Sequence, residues 1–193
     1  MLSSQPGKIV IFFESLTVQL QEGLEKEPWN TQAAMNKQNT NFRPRVNNSR
    51  RAQRTYAFQV LYALNFISEP DYLKKTFETY QDEKFFDKAG KDTFAWSIVH
   101  GVSSNLDKLD HTIASYSQNW KIGRIARIEL TIMRVAVYEM LHCPDIPIKV
   151  SINEAIELAK SFGDGNSRNF VNGILDAVAR DIKNDKFGIN KGF

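Results

Sequence analysis

Cysteine is nearly absent from this chain, and that absence removes several classes of protein at once. A single residue, Cys143, excludes an internal disulfide, and the three histidines, His100, His111 and His142, stand at no metal-binding spacing. No metal or cofactor is therefore expected. Long apolar runs are missing too: the longest near the start, Ile9 to Phe13, stops at Glu14. That is too short for a membrane span and poorly flanked for a secretory signal, so the expected location is the cytoplasm. The sequence also lacks a glycine-rich phosphate loop following a strand. Gly163-Asp164-Gly165 has neither the strand nor the lysine of such a loop. His142 and Cys143 are neighbours in sequence and project to different sides of a helix, which is no arrangement for a nucleophile and its base. An enzyme is not expected.

What is present is a core-forming composition with uneven charge. Of 193 residues, 42% are apolar and 24% charged, enough for one sizeable core or two small subdomains sharing an interface. The formal charge of +3 conceals a segment, residues 36–54, that carries Lys37, Arg43, Arg45, Arg50, Arg51 and Arg54 with no acid, a local charge of +6. Residues 1–35 carry −2. A dense basic cluster is the electrostatic footprint of a phosphate-binding arm, because each neutralised phosphate releases condensed counterions. A solvated linker has the same composition. The position of the cluster favours binding, since its last three arginines run into Tyr56, Phe58, Val60, Leu61, Leu64 and Phe66, an amphipathic helix capped near Ser49.

Helical periodicity continues along the chain. Pro70 falls in a first turn ahead of Tyr72, Leu73, Phe77 and Tyr80, in a helix ending near Phe86. Asp92 is placed to cap one long helix with Phe94, Ala95, Ile98, Val99, Val102, Leu106, Leu109 and Ile113 as its stripe, reaching about Tyr116. Trp120 and Gly123 form a connection. From Arg124 to Leu141 apolar residues occur on nearly every side, which marks the buried centre of a bundle, and Arg127, Glu129, Arg134 and Glu139 then need partners or an edge. Val150, Ile152, Ile156 and Leu158 make a further amphipathic helix, with Gly163 and Gly165 expected to supply left-handed backbone at its end. Ser167 is placed to cap the last helix, whose apolar face is Phe170, Val171, Ile174, Leu175 and Val178. An Arg-Asn-Phe run in its first turn sits where free backbone donors could meet a phosphate. With no strand pattern after residue 49, the expected fold is all-α with about seven helices.

These residues carry a family resemblance. Arg50-Arg51-Ala52-Gln53-Arg54 ahead of AFQVLY (57–62), Asn119-Trp120, LTIMRVAVYE (130–139), Ile146-Pro147, VSINEAIELAKSF (150–162) and FVNGILD (170–176) resemble, in order, the NusB family of transcription antitermination factors. The resemblance implies two small packed helical bundles over residues 49–183, with an extension at 1–48 and a tail at 184–193. It implies binding of boxA RNA from ribosomal RNA leader transcripts together with a small-subunit ribosomal protein, NusE, within an RNA polymerase antitermination complex. It places RNA contacts at Arg50, Arg51 and Arg54, at Tyr62 through base stacking, and at Asn166, Ser167, Arg168, Asn169 and Phe170. Ala52 and Asn169 depart from the basic residues the family often carries there, so each removes a phosphate partner. Asn153 and Glu154 read as structural, either satisfying free amides near a helix start or holding the neighbouring helix. A second reading, in which the basic arm meets an acidic protein rather than RNA, stays open. In the extension, Phe12, Leu16, Leu20 and Leu24 are spaced for an accessory helix, while the start of the basic segment after Met35 makes that methionine an alternative first residue.

Overall fold

The computed structural model describes residues 49–66, 93–117 and 121–188. The extension, the helix expected near 70–86, Trp120 and the end of the tail lie outside the described residues. Six α-helices occupy what is described: α1 (Arg50–Leu64), α2 (Phe94–Ser104), α3 (Leu106–Tyr116), α4 (Arg127–His142), α5 (Ile148–Phe162) and α6 (Ser167–Lys183). A single 3₁₀ turn, Ile122–Arg124, leads into α4. No strand occurs among the described residues, in agreement with the all-α expectation.

α4 is the axis of the fold. It packs against every other described helix, with Ile132, Met133, Val137 and Met140 fully buried. α1 and α2 pack on each other, as do α5 and α6, and one continuous core joins the two groups through α4. The charged residues of this buried helix all find partners, as their burial requires. Arg134 forks onto Asp110 at 2.7 and 2.8 Å, Glu139 receives Arg54, Glu129 receives Ser167, and Arg127 donates to the carbonyl of Asn65.

Two boundaries differ from the sequence expectation. The stripe from Phe94 to Ile113 is not one helix but two, broken at Asn105, whose side-chain amide turns back to donate to the carbonyl of Gly101 at 2.8 Å. An asparagine that bonds its own preceding turn ends a helix as readily as it continues one. The break leaves Leu106 partly exposed. At the start of α2 the cap is Thr93 rather than Asp92, its hydroxyl accepting from the amide of Trp96. Ser49 caps α1 as expected, accepting from the amide of Ala52 at 3.2 Å.

Candidate nucleic-acid interface

The three arginines at the start of α1 divide into two kinds. Arg50 is exposed, its guanidinium 4.3 Å from the centroid of the Phe94 ring. Arg51 is exposed as well and donates from Nε and Nη2 to Glu154, at 2.7 Å for the shortest bond. That hydrogen bond and the carboxylate charge raise the Arg51 pKa further above its ordinary value. Arg54 faces the other way. Its side chain is 5% exposed, bonded to Glu139 at 2.6 Å and 3.7 Å from Glu154. The expectation that Arg54 contacts RNA is corrected by this placement, because its charge is already neutralised inside the protein. Glu154 holds α1 against α5, the structural role expected of it.

The loop between α5 and α6 is built by residues other than those expected. Gly163 has φ of −89°, so it supplies no left-handed turn; the positive φ values among the described residues belong to Asp185 and Gly188. Glycine is needed for closeness instead. A Cβ there would run into the side chain of Ser167 and come within 2.8 Å of the carbonyl oxygen of Ala159. Gly163→Ala is therefore expected to destabilise the protein by about 1–3 kcal/mol through overpacking, read as a lower urea midpoint. Gly165→Ala, which meets open space, is the control.

Asp164 does the capping work expected of Ser167. Its Oδ1 accepts from the amides of Asn166 at 2.8 Å and Ser167 at 3.0 Å. The bond from the amide of Asn166, then the contacts with Ser167, hold its carboxyl below the usual aspartate range. Ser167 is the first residue of α6 and is 2% exposed. Its hydroxyl donates to Glu129 and accepts from the amide of Asp164. Ser167 is thus corrected from an RNA contact to a strut between the loop and α4. Asn166, Arg168 and Asn169 remain exposed, and Phe170 is half-buried against the core.

The candidates fall into two clusters rather than one. Arg54 meets α4 near its C-terminal end at Glu139, whereas Asn65, at the other end of α1, donates to Thr131 at 3.2 Å and accepts from Arg127 at 2.9 Å. α1 is therefore antiparallel to α4. Ser167 reaches Glu129, in the same first turn of α4 that Arg127 begins. So Tyr62, half-buried, lies at the loop's end of the molecule, while Arg50 and Arg51 lie most of a helix away, roughly 17–18 Å at 1.5 Å per residue. Tyr62 is joined there by Phe66 and Arg127, which the sequence placed on a helix stripe and among the charges needing partners, not among the RNA contacts. Phe66, 52% exposed, meets Tyr62 edge-on at 5.3 Å and carries the Arg127 guanidinium at 4.6 Å. The four-residue spacing of Tyr62 and Phe66 was visible in sequence; Arg127 is the first residue of α4, and only the fold brings it over.

The family model described as the NusB family matches residues 51–180. The chain belongs to the NusB family. The transcription antitermination protein NusB of Oleidesulfovibrio alaskensis is 50% identical over 141 residues, covering 71% of this chain and 91% of that protein. The solved structure of T. maritima NusB superposes with a TM-score of 0.63 at 36% identity, covering 73% of this chain and 98% of that one. A crystal structure of the antitermination factors NusB and NusE in complex with dsRNA gives a TM-score of 0.58 at 23% identity, covering 68% and 96%, and speaks for the fold alone. The NusB match begins inside α1 and ends inside α6, so it takes in Arg51 and the whole second cluster, with Arg50 standing immediately before it. Among the described residues no group of acidic, histidine or cysteine side chains is arranged to hold a metal, and no helix is long and apolar enough to cross a membrane.

Proposed function

We propose that this chain is a non-catalytic RNA-binding factor of transcription antitermination. It takes boxA-type RNA of ribosomal RNA leader transcripts jointly with the ribosomal protein NusE and helps RNA polymerase read through terminators. The observation that carries the reading is the exposed pair Arg50 and Arg51 at the N-terminus of α1, each guanidinium fixed on one side by protein. Guanidinium edges left toward solvent suit phosphate oxygens, and both residues lie in the most basic stretch of the chain. At the other end of α1, Tyr62, Phe66 and Arg127 offer ring and guanidinium faces on which unpaired bases stack, beside Asn166, Arg168 and Asn169 as polar contacts. The relatives are antitermination proteins, and one solved NusB shares its complex with NusE and RNA.

The mechanism is binding and presentation. Phosphates engage the arginine end, bases the aromatic end, and the ribosomal partner completes a surface that neither protein supplies alone. Changing Arg50 and Arg51 together to Ala is expected to weaken boxA RNA binding by about tenfold or more, while the melting midpoint falls by only about 1–4 °C, the cost of losing the Arg51–Glu154 pair. The slope of log affinity against log salt should fall by about 1.4, the value for two phosphate contacts on a single strand. Anisotropy titration over a salt series measures both. Unchanged affinity would refute the assignment, and equal competition by a scrambled strand would favour an acidic protein partner instead.

A further inference from the structure

The exposed Arg50 is the outermost of a chain of contacts rooted in the core. Glu139, on α4, bonds Arg54 at 2.6 Å in a nearly water-free setting. The Arg54 guanidinium lies 5.1 Å from the centroid of Phe94, and that of Arg50 lies 4.3 Å from the same centroid. Phe94, the first residue of α2, is therefore shared by two cations, one buried and immobilised, the other open to solvent. Thr93 caps the helix beside it, which fixes where the ring leaves the backbone.

A guanidinium resting on a ring uses its π-face, and its N–H donors radiate in its own plane toward a phosphate. An arginine free in water would lose more side-chain freedom on binding than one already laid on a surface. Arg50 differs here from Arg51, whose Nε and Nη2 are occupied by a carboxylate that also offsets its charge. Among the described residues no acidic side chain is bonded to Arg50. Among the described residues, the contact that orders Arg50 is thus the neutral Phe94 ring, which offsets none of its charge.

We infer that Phe94 is a positioning residue for RNA binding: it holds the Arg50 guanidinium flat, edge outward, against a backbone phosphate of the bound strand. This rests on the reading of Arg50 as a phosphate contact given above. The residue lies 44 positions from the arginine it serves, and its own type, a half-buried aromatic on a helix stripe, is ordinary core chemistry.

A double-mutant cycle tests it on the full chain with boxA-type RNA. Phe94→Leu keeps an apolar side chain and removes the ring; it should weaken binding about threefold, the size of an exposed cation–π contact. Phe94→Tyr, which retains the ring, should bind like the wild type. On an Arg50→Ala background, Phe94→Leu should produce no further loss, because the ring then has no exposed cation to place. Thermal midpoints are recorded for every variant, and Phe94→Met serves as a second ringless variant of similar bulk. If Arg50→Ala weakens binding but Phe94→Leu and Phe94→Met do not, the positioning role is overturned while the phosphate contact stands. Losses that simply add in the double variant overturn it equally. If Arg50→Ala itself binds like the wild type, the underlying reading fails and this inference falls with it.

Discussion

Replacing Glu139 with alanine is expected to lower the unfolding free energy by about 3–5 kcal/mol, the range for removing one partner of a buried ion pair. Glu139 is 1% exposed and Arg54 4% exposed, so the guanidinium left behind can recover little hydration without opening the core between α1 and α4. Glu154 offers incomplete compensation: at 3.7 Å from Arg54 it is beyond hydrogen-bond distance, and its oxygens are already engaged by Arg51. Urea unfolding should show a lower midpoint with an unchanged slope. The companion variant Arg54→Met with Glu139→Leu removes both charges and fills the space with apolar atoms, and it should recover most of the lost stability. A loss below about 1 kcal/mol in Glu139→Ala would mean the site admits water and that Arg54 is not committed to the interior.

Phe58→Ala is expected to cost about 3–5 kcal/mol, from lost transfer energy and from the cavity left behind. The ring is 2% exposed, 4.7 Å from Phe162 and 6.0 Å from Tyr62 by centroid. Phe162 is the last residue of α5, so the cavity would open directly beneath the turn at Gly163 and behind the Tyr62 ring. The consequence is more than global instability. Amides of residues 164–167 should lose hydrogen-exchange protection, and RNA binding through the Tyr62 end should weaken while the Arg50 end is untouched. Phe58→Leu, which refills most of the space, should cost markedly less. Equal stability of Phe58→Ala and the wild type would show that the aromatic cluster is not a support for the loop.

The helical class was legible because apolar residues recur at helical spacing in segments long enough for the period to be unmistakable, α4 to α6 above all. The burial of α4 was legible for the opposite reason, since its apolar residues fall on every side. That Arg127, Glu129, Arg134 and Glu139 must have partners followed from the cost of buried charge. Membership of the family followed from motif blocks in the right order. The Ser49 cap and the structural role of Glu154 were also readable locally.

The division of labour among the arginines was not. Arg50, Arg51 and Arg54 lie within five residues, are chemically alike and share one helix, so local pattern treats them as one group. Which of them turns inward depends on where α4 presents Glu139, 85 positions away, and a one-sequence reading has no access to that geometry. Ser167 was misread for the same reason: its hydroxyl is claimed by Glu129 across 38 residues, and Asp164 caps in its place. Gly163 is a glycine because two segments approach closely, not because its own backbone demands it. Which segments are helical, which faces are apolar and where positive charge accumulates depend on residue type and local spacing, and all three could be read along the chain. Which charges remain for a ligand depends on packing between distant segments, because a charge is available to RNA only when no buried partner has already taken it.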